Sequence, residues 1–239
     1  MPQTLANPLL TDVPAEVLAG NVERILAGLQ QNRYQDQAAA KLIAVTKTVA
    51  PNVINQLKPL GLLDIGENRA QVALPKLPEI APEFRLHWIG RLQTNKVKGI
   101  IDHVYMLHSL DRMELAQEVE RRAGERGRIL PALVQVNIAG EEQKGGLSPE
   151  ELPGFLRQVK SFSHIRIEGL MSIMPLGASE EELTALFGGM RTLFERMRSE
   201  AIENIHMNEL SMGMSNDYEI AARHGATMVR IGTALYRRN

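Results

Sequence analysis

The chain has 239 residues, 44% hydrophobic and 23% charged, with 27 Lys plus Arg against 28 Asp plus Glu and a net charge of -1. That is the composition of an ordinary folded domain, and it gives no global pull toward nucleic acid or anionic membrane. There are no cysteines, which excludes disulfides, thiolate chemistry and cysteine-based metal sites.

The N-terminus, MPQTLANPLLTDVPAEV, lacks an early positive charge followed by an apolar core, so it does not read as a secretory signal. No apolar run approaches membrane-spanning length. The expectation is a cytoplasmic protein with a disordered segment over residues 1–12 and one domain over 13–239.

A leading helix is predicted from about Pro14 to Gln31. Strands are then predicted near 41–46, 62–66, 84–89, 103–107, 130–138, 165–171, 208–212 and 227–231, with helical stretches between them. Pro51 opens the helix after the first strand, and Gly61 follows its end. Ser148-Pro149-Glu150-Glu151 carries a capping serine, a first-turn proline and a glutamate three residues on; Ser179 with Glu182 repeats that capping box. Gly225 ends the helix that starts near Asp217. The runs LVQVNI and MVRIG are nearly continuous in apolar residues, as strands covered on both faces are. Strand alternating with helix gives a parallel sheet, and roughly eight units predict a closed (β/α)8 TIM barrel. An open doubly wound sheet is the alternative.

Polar residues cluster at the carboxyl ends of these strands. Lys47 follows the first, Gly66-Glu67-Asn68 the second, Gly90-Arg91 the third and His108-Ser109 the fourth. Asn137 lies near the end of the fifth strand and Ser172 follows the sixth. Ser211 lies in the seventh, and Arg230 lies in the eighth ahead of Gly232-Thr233. Any strand must end in something polar, but the coincidence over all of them points to the face where barrels carry their chemistry.

In RIGTALY, residues 230–236, Gly232 lets a backbone approach a ligand, and the following turn offers amide N–H groups and the Thr233 hydroxyl. Ser211 is a further hydroxyl from the neighbouring strand. The set reads as a phosphate pocket, or as a plain glycine turn with a capping threonine. Lys47 reads as a solvated strand end or as a reactive amine. In a partly dry pocket beside a second cation, for which Arg230 is the candidate, a lysine forms Schiff bases with aldehydes. Pyridoxal phosphate needs an amine, a phosphate cradle and a partner for its ring nitrogen, either aspartate or arginine, and Arg230 is the candidate for that role. An arginine partner cannot readily yield its proton, so the ring stays a weak electron sink.

The stretches IAVTKT (43–48), IGENRAQ (65–71), HWIGRLQTNK (87–96), HSLDR (108–112), VQVNIAGEEQKGGL (134–147), GLMSIMP (169–175) and LSMGMSNDYEIAARHGATMVRIGTALY (210–236) resemble, in order, the pyridoxal phosphate homeostasis proteins, the YggS/PROSC family. The resemblance covers nearly the whole chain after about residue 20. It implies a single barrel similar to the N-terminal domain of alanine racemase, a type III pyridoxal phosphate fold. It implies pyridoxal 5′-phosphate held as a Schiff base on Lys47, with Asn68 near the ring hydroxyl. It further implies Ser211, Gly232 and Thr233 on the phosphate, Arg230 at the ring nitrogen and Met212 along the ring. The implied role is vitamin B6 homeostasis and amino/keto acid balance, without an established reaction. One departure is that Tyr236 is followed by Arg237-Arg238-Asn239, where the family commonly has glycine and then a basic residue.

Other residues carry blander readings. Asn68 is also a turn residue and Arg230 also a salt-bridge residue within a barrel. Met171, Met174, Met212 and Met214 are packing residues first. The six histidines show no metal-ligand spacing. Arg91, Lys96 and Lys98 form a basic cluster, either a solvated face or an attractor of phosphate-bearing molecules. The loop 140–146 is glycine-rich and charged, and Lys144 within it reads as a solvated loop lysine or a second amine.

Three functions compete. The first is a carrier that holds the cofactor and releases it to pyridoxal phosphate-dependent apoenzymes. The second is an amino acid racemase, which needs acid/base groups on both faces of the substrate carbon. The chain ends nine residues after Arg230, and the expectation is that the second domain supplying a tyrosine in alanine racemases is missing; Tyr105, Tyr218 and Tyr236 are the substitutes. The third is a Schiff-base lyase that needs no pyridoxal phosphate. The carrier reading, as a non-enzymatic monomer, is the expectation.

Overall fold

The structure is a computed structural model that describes residues 9–141 and 143–237. Eight parallel strands close into a barrel in chain order, each paired with the next and β8 with β1. They are β1 Lys41–Val45, β2 Asp64–Glu67, β3 Arg85–Trp88, β4 Val104–Leu110, β5 Leu130–Gln135, β6 Ile165–Met171, β7 Ile205–Ser211 and β8 Met228–Ile231. The helices are α1 Ala15–Gln31, α2 Pro51–Asn55, α3 Ala70–Lys76, α4 Thr94–Ile100, α5 Met113–Gly124, α6 Leu152–Val159, α7 Glu180–Ser199, α8 Tyr218–Arg223 and α9 Thr233–Tyr236. The closed barrel predicted from the strand count is the observed architecture, and the open sheet is not.

Alternation along the strands divides the core in two. Leu42 and Ala44 of β1, with Val229 and Ile231 of β8, face the helical layer. Ile43 and Met228 face inward, where they meet Met106, Leu133 and Met171. Two-residue periodicity therefore also turns Arg230 inward, two positions beyond Met228. Inward-facing Asp64, His87 and His108 make the rest of the interior polar, and all three are buried.

Most predicted boundaries agree within a few residues, with informative exceptions. His108 and Ser109 lie within β4, not after it. β5 stops at Gln135, and Val136 instead bridges Leu147. Ser179 and Glu182 form the predicted capping box of α7. Ser148 and Glu151 exchange the same pair of bonds, but the regular helix α6 starts at Leu152. Helix α1 buries Leu18, Val22, Ile25 and Leu29, one helical stripe, and Asn21 Nδ2 of that helix donates to Leu235 O and Arg237 O, each at 3.0 Å.

Of the segment expected to be disordered, residues 1–8 lie outside the described residues. Residues 9–12 depart from that expectation at Leu10, whose N–H and C=O bond Thr48 O and Ala50 N beside the end of β1. Main-chain pairing there needs no side-chain pattern, which is why the sequence does not announce it.

Candidate functional site

At the carboxyl end of the barrel lies a cavity of about 590 Å³. Its walls come from the segments after six strands: Lys47 and Thr48 after β1, Asn68 after β2, Ile89 and Gly90 after β3, residues 173–178 after β6, residues 214–217 after β7, and Gly232 and Thr233 after β8. Val45, Leu183, Arg230 and Arg237 complete it. Five of the seven residues predicted for a ligand therefore share one cavity: Lys47, Asn68, Arg230, Gly232 and Thr233.

Lys47 sits where the chain leaves the barrel. Thr46, buried just before it, bonds Gly66 O through its N–H at 3.0 Å and Glu67 Oε1 through its hydroxyl at 2.8 Å. Lys76 Nζ, from α3, donates to Thr46 O at 2.8 Å and to Glu67 Oε1 at 3.0 Å. This buried ion pair fixes the backbone one residue before Lys47. The Lys47 side chain itself is exposed on the cavity wall. That differs from the expectation of a partly dry pocket: in the turn to α2, Lys47 and Thr48 are exposed between buried Thr46 and buried Val49.

Arg230 is 3% exposed. It donates through NH1 to Ser211 Oγ at 2.6 Å and through NH2 to Ser172 O at 2.7 Å. Two of its five N–H donors are thus engaged within the protein, and the others remain for a ligand. Burial lowers the guanidinium to about 10, with the Asp217 carboxylate acting in the opposite direction. Asp217, at the head of α8, accepts the Met214 N–H at 2.5 Å and folds the loop after β7 back on itself. Burial raises its carboxyl above the ordinary range, against the pull of that N–H and of Arg230.

Ser211 and Met212 do not line the cavity. The Ser211 hydroxyl is buried between Arg230 and His108 Nδ1, the latter at 3.0 Å. Met212 points the other way, into the helix-facing core. The alternation of β7 accounts for both. Met214 and Ser215 stand on the wall instead, and Ser215 Oγ accepts the Ala234 N–H of α9 at 3.2 Å. That leaves the Ser215 O–H beside Gly232 and Thr233. The repeated serine of LSMGMS is the sequence signal for it. Gly213, at φ +94, makes the turn between the two serines.

Asn68 depends on Gly90. A Cβ at Gly90 would lie 2.4 Å from Asn68 Cβ and 2.8 Å from its Cα. Only glycine lets the loops after β2 and β3 meet there.

Asn68 also borders a second cavity of about 730 Å³, lined by Arg69, Arg91, Lys96 and Arg112 among amide side chains, with no carboxylate on its wall among the described residues. Arg112 pairs with Asp111 at 2.5 Å and Arg91 approaches it at 4.0 Å. Arg91 and Lys96 of the predicted basic cluster thus share a wall, and Lys98 lies apart from it. Lys144 is partly exposed and tied down: it pairs with Glu141 and donates to Met174 O at 3.1 Å. No tyrosine lines the first cavity among the described residues. Tyr105 packs on Arg85 and His87 near the start of its strand, and Tyr218 donates to Glu219 Oε1 at 3.0 Å. Tyr236 is buried. Among the described residues no group of side chains could hold a metal ion, and no helix is long and apolar enough to cross a membrane.

Residues 27–239 match the family described as alanine racemase, N-terminal domain. The chain is 38% identical over 219 residues to a pyridoxal phosphate homeostasis protein of Aquifex aeolicus, covering 90% of this chain and 95% of that one. It is 38% identical over 229 residues to the protein of the same description in Pseudomonas aeruginosa, covering 92% and 94%. Among solved structures, PipY of Synechococcus elongatus with PLP bound superposes with a TM-score of 0.82 at 33% identity, over 92% of this chain and 100% of that one. Alanine racemase of Corynebacterium glutamicum superposes with a TM-score of 0.74 at 16% identity, over 97% of this chain and 64% of that one, which is a likeness of fold.

Proposed function

This chain belongs to the pyridoxal phosphate homeostasis protein family, and from that membership we propose that it binds pyridoxal 5′-phosphate in the cavity of Lys47. In this reading the cofactor is held as a Schiff base on Lys47 and released to pyridoxal phosphate-dependent apoenzymes. The protein thereby serves intracellular vitamin B6 homeostasis and amino/keto acid balance without catalytic turnover.

The observation that carries the proposal is the shared wall of Lys47, Arg230, Gly232 and Thr233. The residues fit the group. The Lys47 amine would be the group that holds the cofactor through its aldehyde. The hydroxyls of Thr233 and Ser215 stand at one end of the cavity as donors to a phosphate. The remaining N–H groups of Arg230 suit an unprotonated ring nitrogen, and Asn68 suits the ring hydroxyl. When bound, the cofactor supplies an electron-withdrawing ring. A donor-only arginine leaves that ring less able to stabilise a carbanion than a carboxylate partner would.

The absence of tyrosine from the wall, among the described residues, favours carrier over racemase. Racemisation needs an acid/base group on each face of the reacting carbon, and Lys47 supplies one.

Titration of the purified protein with pyridoxal 5′-phosphate tests the reading. Expected are a new long-wavelength absorption band, transfer of the cofactor to an acceptor apoenzyme on mixing, and no steady turnover of D- or L-amino acids. An unchanged spectrum overturns the binding assignment. Sustained racemisation that disappears in Lys47→Ala overturns the carrier assignment.

A further inference from the structure

A line of hydrogen bonds crosses the barrel interior from the cavity wall to the far side. Arg230 NH1 donates to Ser211 Oγ at 2.6 Å; Ser211 Oγ lies 3.0 Å from His108 Nδ1; His108 Nε2 lies 2.9 Å from His87 Nδ1; His87 Nε2 lies 2.8 Å from Asp64 Oδ1. Arg85 NH2 closes the far end on Asp64 Oδ2 at 2.6 Å. The five residues of the line come from β8, β7, β4, β3 and β2. Ser211, His108 and His87 are fully buried, and Arg230 and Asp64 are 3% and 5% exposed. None of the four beyond Arg230 lines the cavity.

The chemistry of the end groups fixes the direction of the line. A guanidinium has donors and no acceptor, so Ser211 Oγ accepts from it and has one O–H to give. That hydrogen goes to His108 Nδ1, which must be bare. The His108 proton then sits on Nε2 and is donated to His87 Nδ1. His87 in turn carries its proton on Nε2 and donates it to the Asp64 carboxylate. Each group donates to the next, both imidazoles are uncharged, and every nitrogen has a partner. The reverse direction would put a hydrogen of His108 on Nδ1, make Ser211 Oγ accept twice, and place a second cation on His87 inside the barrel.

Electrostatics agree with this assignment. Burial first, and then the charges of Arg230 and Lys41, hold the His108 imidazole well below its ordinary value. Burial acts to raise the Asp64 carboxyl, but the hydrogen bond from His87 and the charge of Arg85 hold it below the usual carboxylate range.

We propose that Ser211, His108, His87 and Asp64 form a one-way hydrogen-bond relay that locks the orientation of Arg230, and thereby the donor it presents to the ring nitrogen of the cofactor. The proposal rests on the functional reading above for what Arg230 touches. It assigns His108 and His87 as positioning residues that act through Ser211 from outside the cavity. Successive bonds of one direction polarise one another, so the carboxylate at the far end supports the buried guanidinium without touching it. Removing a link leaves Arg230 with an unmatched donor and freedom to turn.

Two measurements test the relay. In ¹⁵N-histidine spectra of the cofactor-free wild-type protein near neutral pH, both His87 and His108 are expected as uncharged Nε2–H tautomers. An Nδ1–H or doubly protonated His108 overturns the relay, whatever the protein binds. In cofactor titrations, Ser211→Ala and His108→Leu are expected to weaken binding about tenfold and to move the absorption band of the bound cofactor. His108→Gln, whose amide accepts from Ser211 and donates to His87, is expected to restore both. A purely packing role predicts the opposite ranking, with leucine tolerated better than glutamine and the band unmoved in every variant that binds; that result overturns the proposal. A wild-type protein that shows the expected tautomers but no cofactor band overturns the functional reading instead.

Discussion

Lys76 Nζ lies 3.0 Å from Glu67 Oε1, with the two side chains 4% and 2% exposed. The same ammonium holds Thr46 O, one residue before the amine on which the proposed chemistry depends. Helix α3 thus reaches across β1 and β2 to set the turn that carries Lys47.

Removing one partner of a buried pair strands the other charge. Lys76→Met is therefore expected to destabilise the fold by about 3–5 kcal/mol. Lys76→Met combined with Glu67→Gln is expected to recover most of that loss, because no unpaired charge remains. Chemical denaturation of the single and double variants measures it; a double variant no more stable than the single one would contradict the assignment.

Gly90→Ala places a methyl group 2.4 Å from Asn68 Cβ. Backbone lies on both sides of the contact, so the loop after β2 must move, at a cost of about 1–3 kcal/mol. Asn68 leaves its place on the cavity wall as a result. Cofactor affinity is expected to fall with stability, as read by titration and thermal melting together.

Ser215 and Thr233 mark the proposed phosphate end of the cavity. Hydrogen bonds to a charged group contribute about 1.5–3 kcal/mol, so Ser215→Ala or Thr233→Val is expected to weaken pyridoxal 5′-phosphate binding about ten- to hundredfold. Pyridoxal, which lacks the phosphate, is expected to bind the variants as it binds wild type. Equal losses for both ligands would move the phosphate elsewhere.

The buried His108 gives the protein a signed pH response. Its folded value lies well below the ordinary 6.5, so between the two the unfolded chain binds the extra proton. Stability rises with pH through that window, is fully present above about pH 6.5, and is lost as pH falls toward the folded value. His108→Gln, which does not titrate, is expected to flatten that part of the stability–pH curve. Denaturation midpoints from mildly acid to neutral pH measure the slope; an unchanged slope would remove His108 as its source.

The sequence reached far for some features and stopped short for others, for physical reasons. The barrel was legible because strand and helix periods alternate cleanly, and Lys47 and Gly232-Thr233 because each follows directly on an apolar run. Ser211 and Met212 were misplaced by their position on β7: a strand that ends at Ser211 points one residue into the barrel and the next at the helices. The ligand wall begins only after the Gly213 turn, at Met214 and Ser215. The histidines show only an absence of metal-ligand spacing in the sequence, because His87 and His108 are neighbours only through the register of β3 and β4. Asp64 and Arg230 lie even further apart in the chain, and closure of the barrel alone joins them. Glu67 read as part of a polar strand end, and only the fold shows that it is buried against Lys76.

The central claim is that the amine of Lys47 holds the aldehyde of pyridoxal 5′-phosphate against the anion-binding turn after β8. Borohydride reduction of the cofactor-loaded protein, followed by peptide mapping, tests it most directly. The account predicts one stable pyridoxyl adduct on the peptide that contains Lys47, lost in Lys47→Ala. A wild-type adduct located on Lys144 or on any other lysine, or no adduct from a protein that has bound the cofactor, would contradict it.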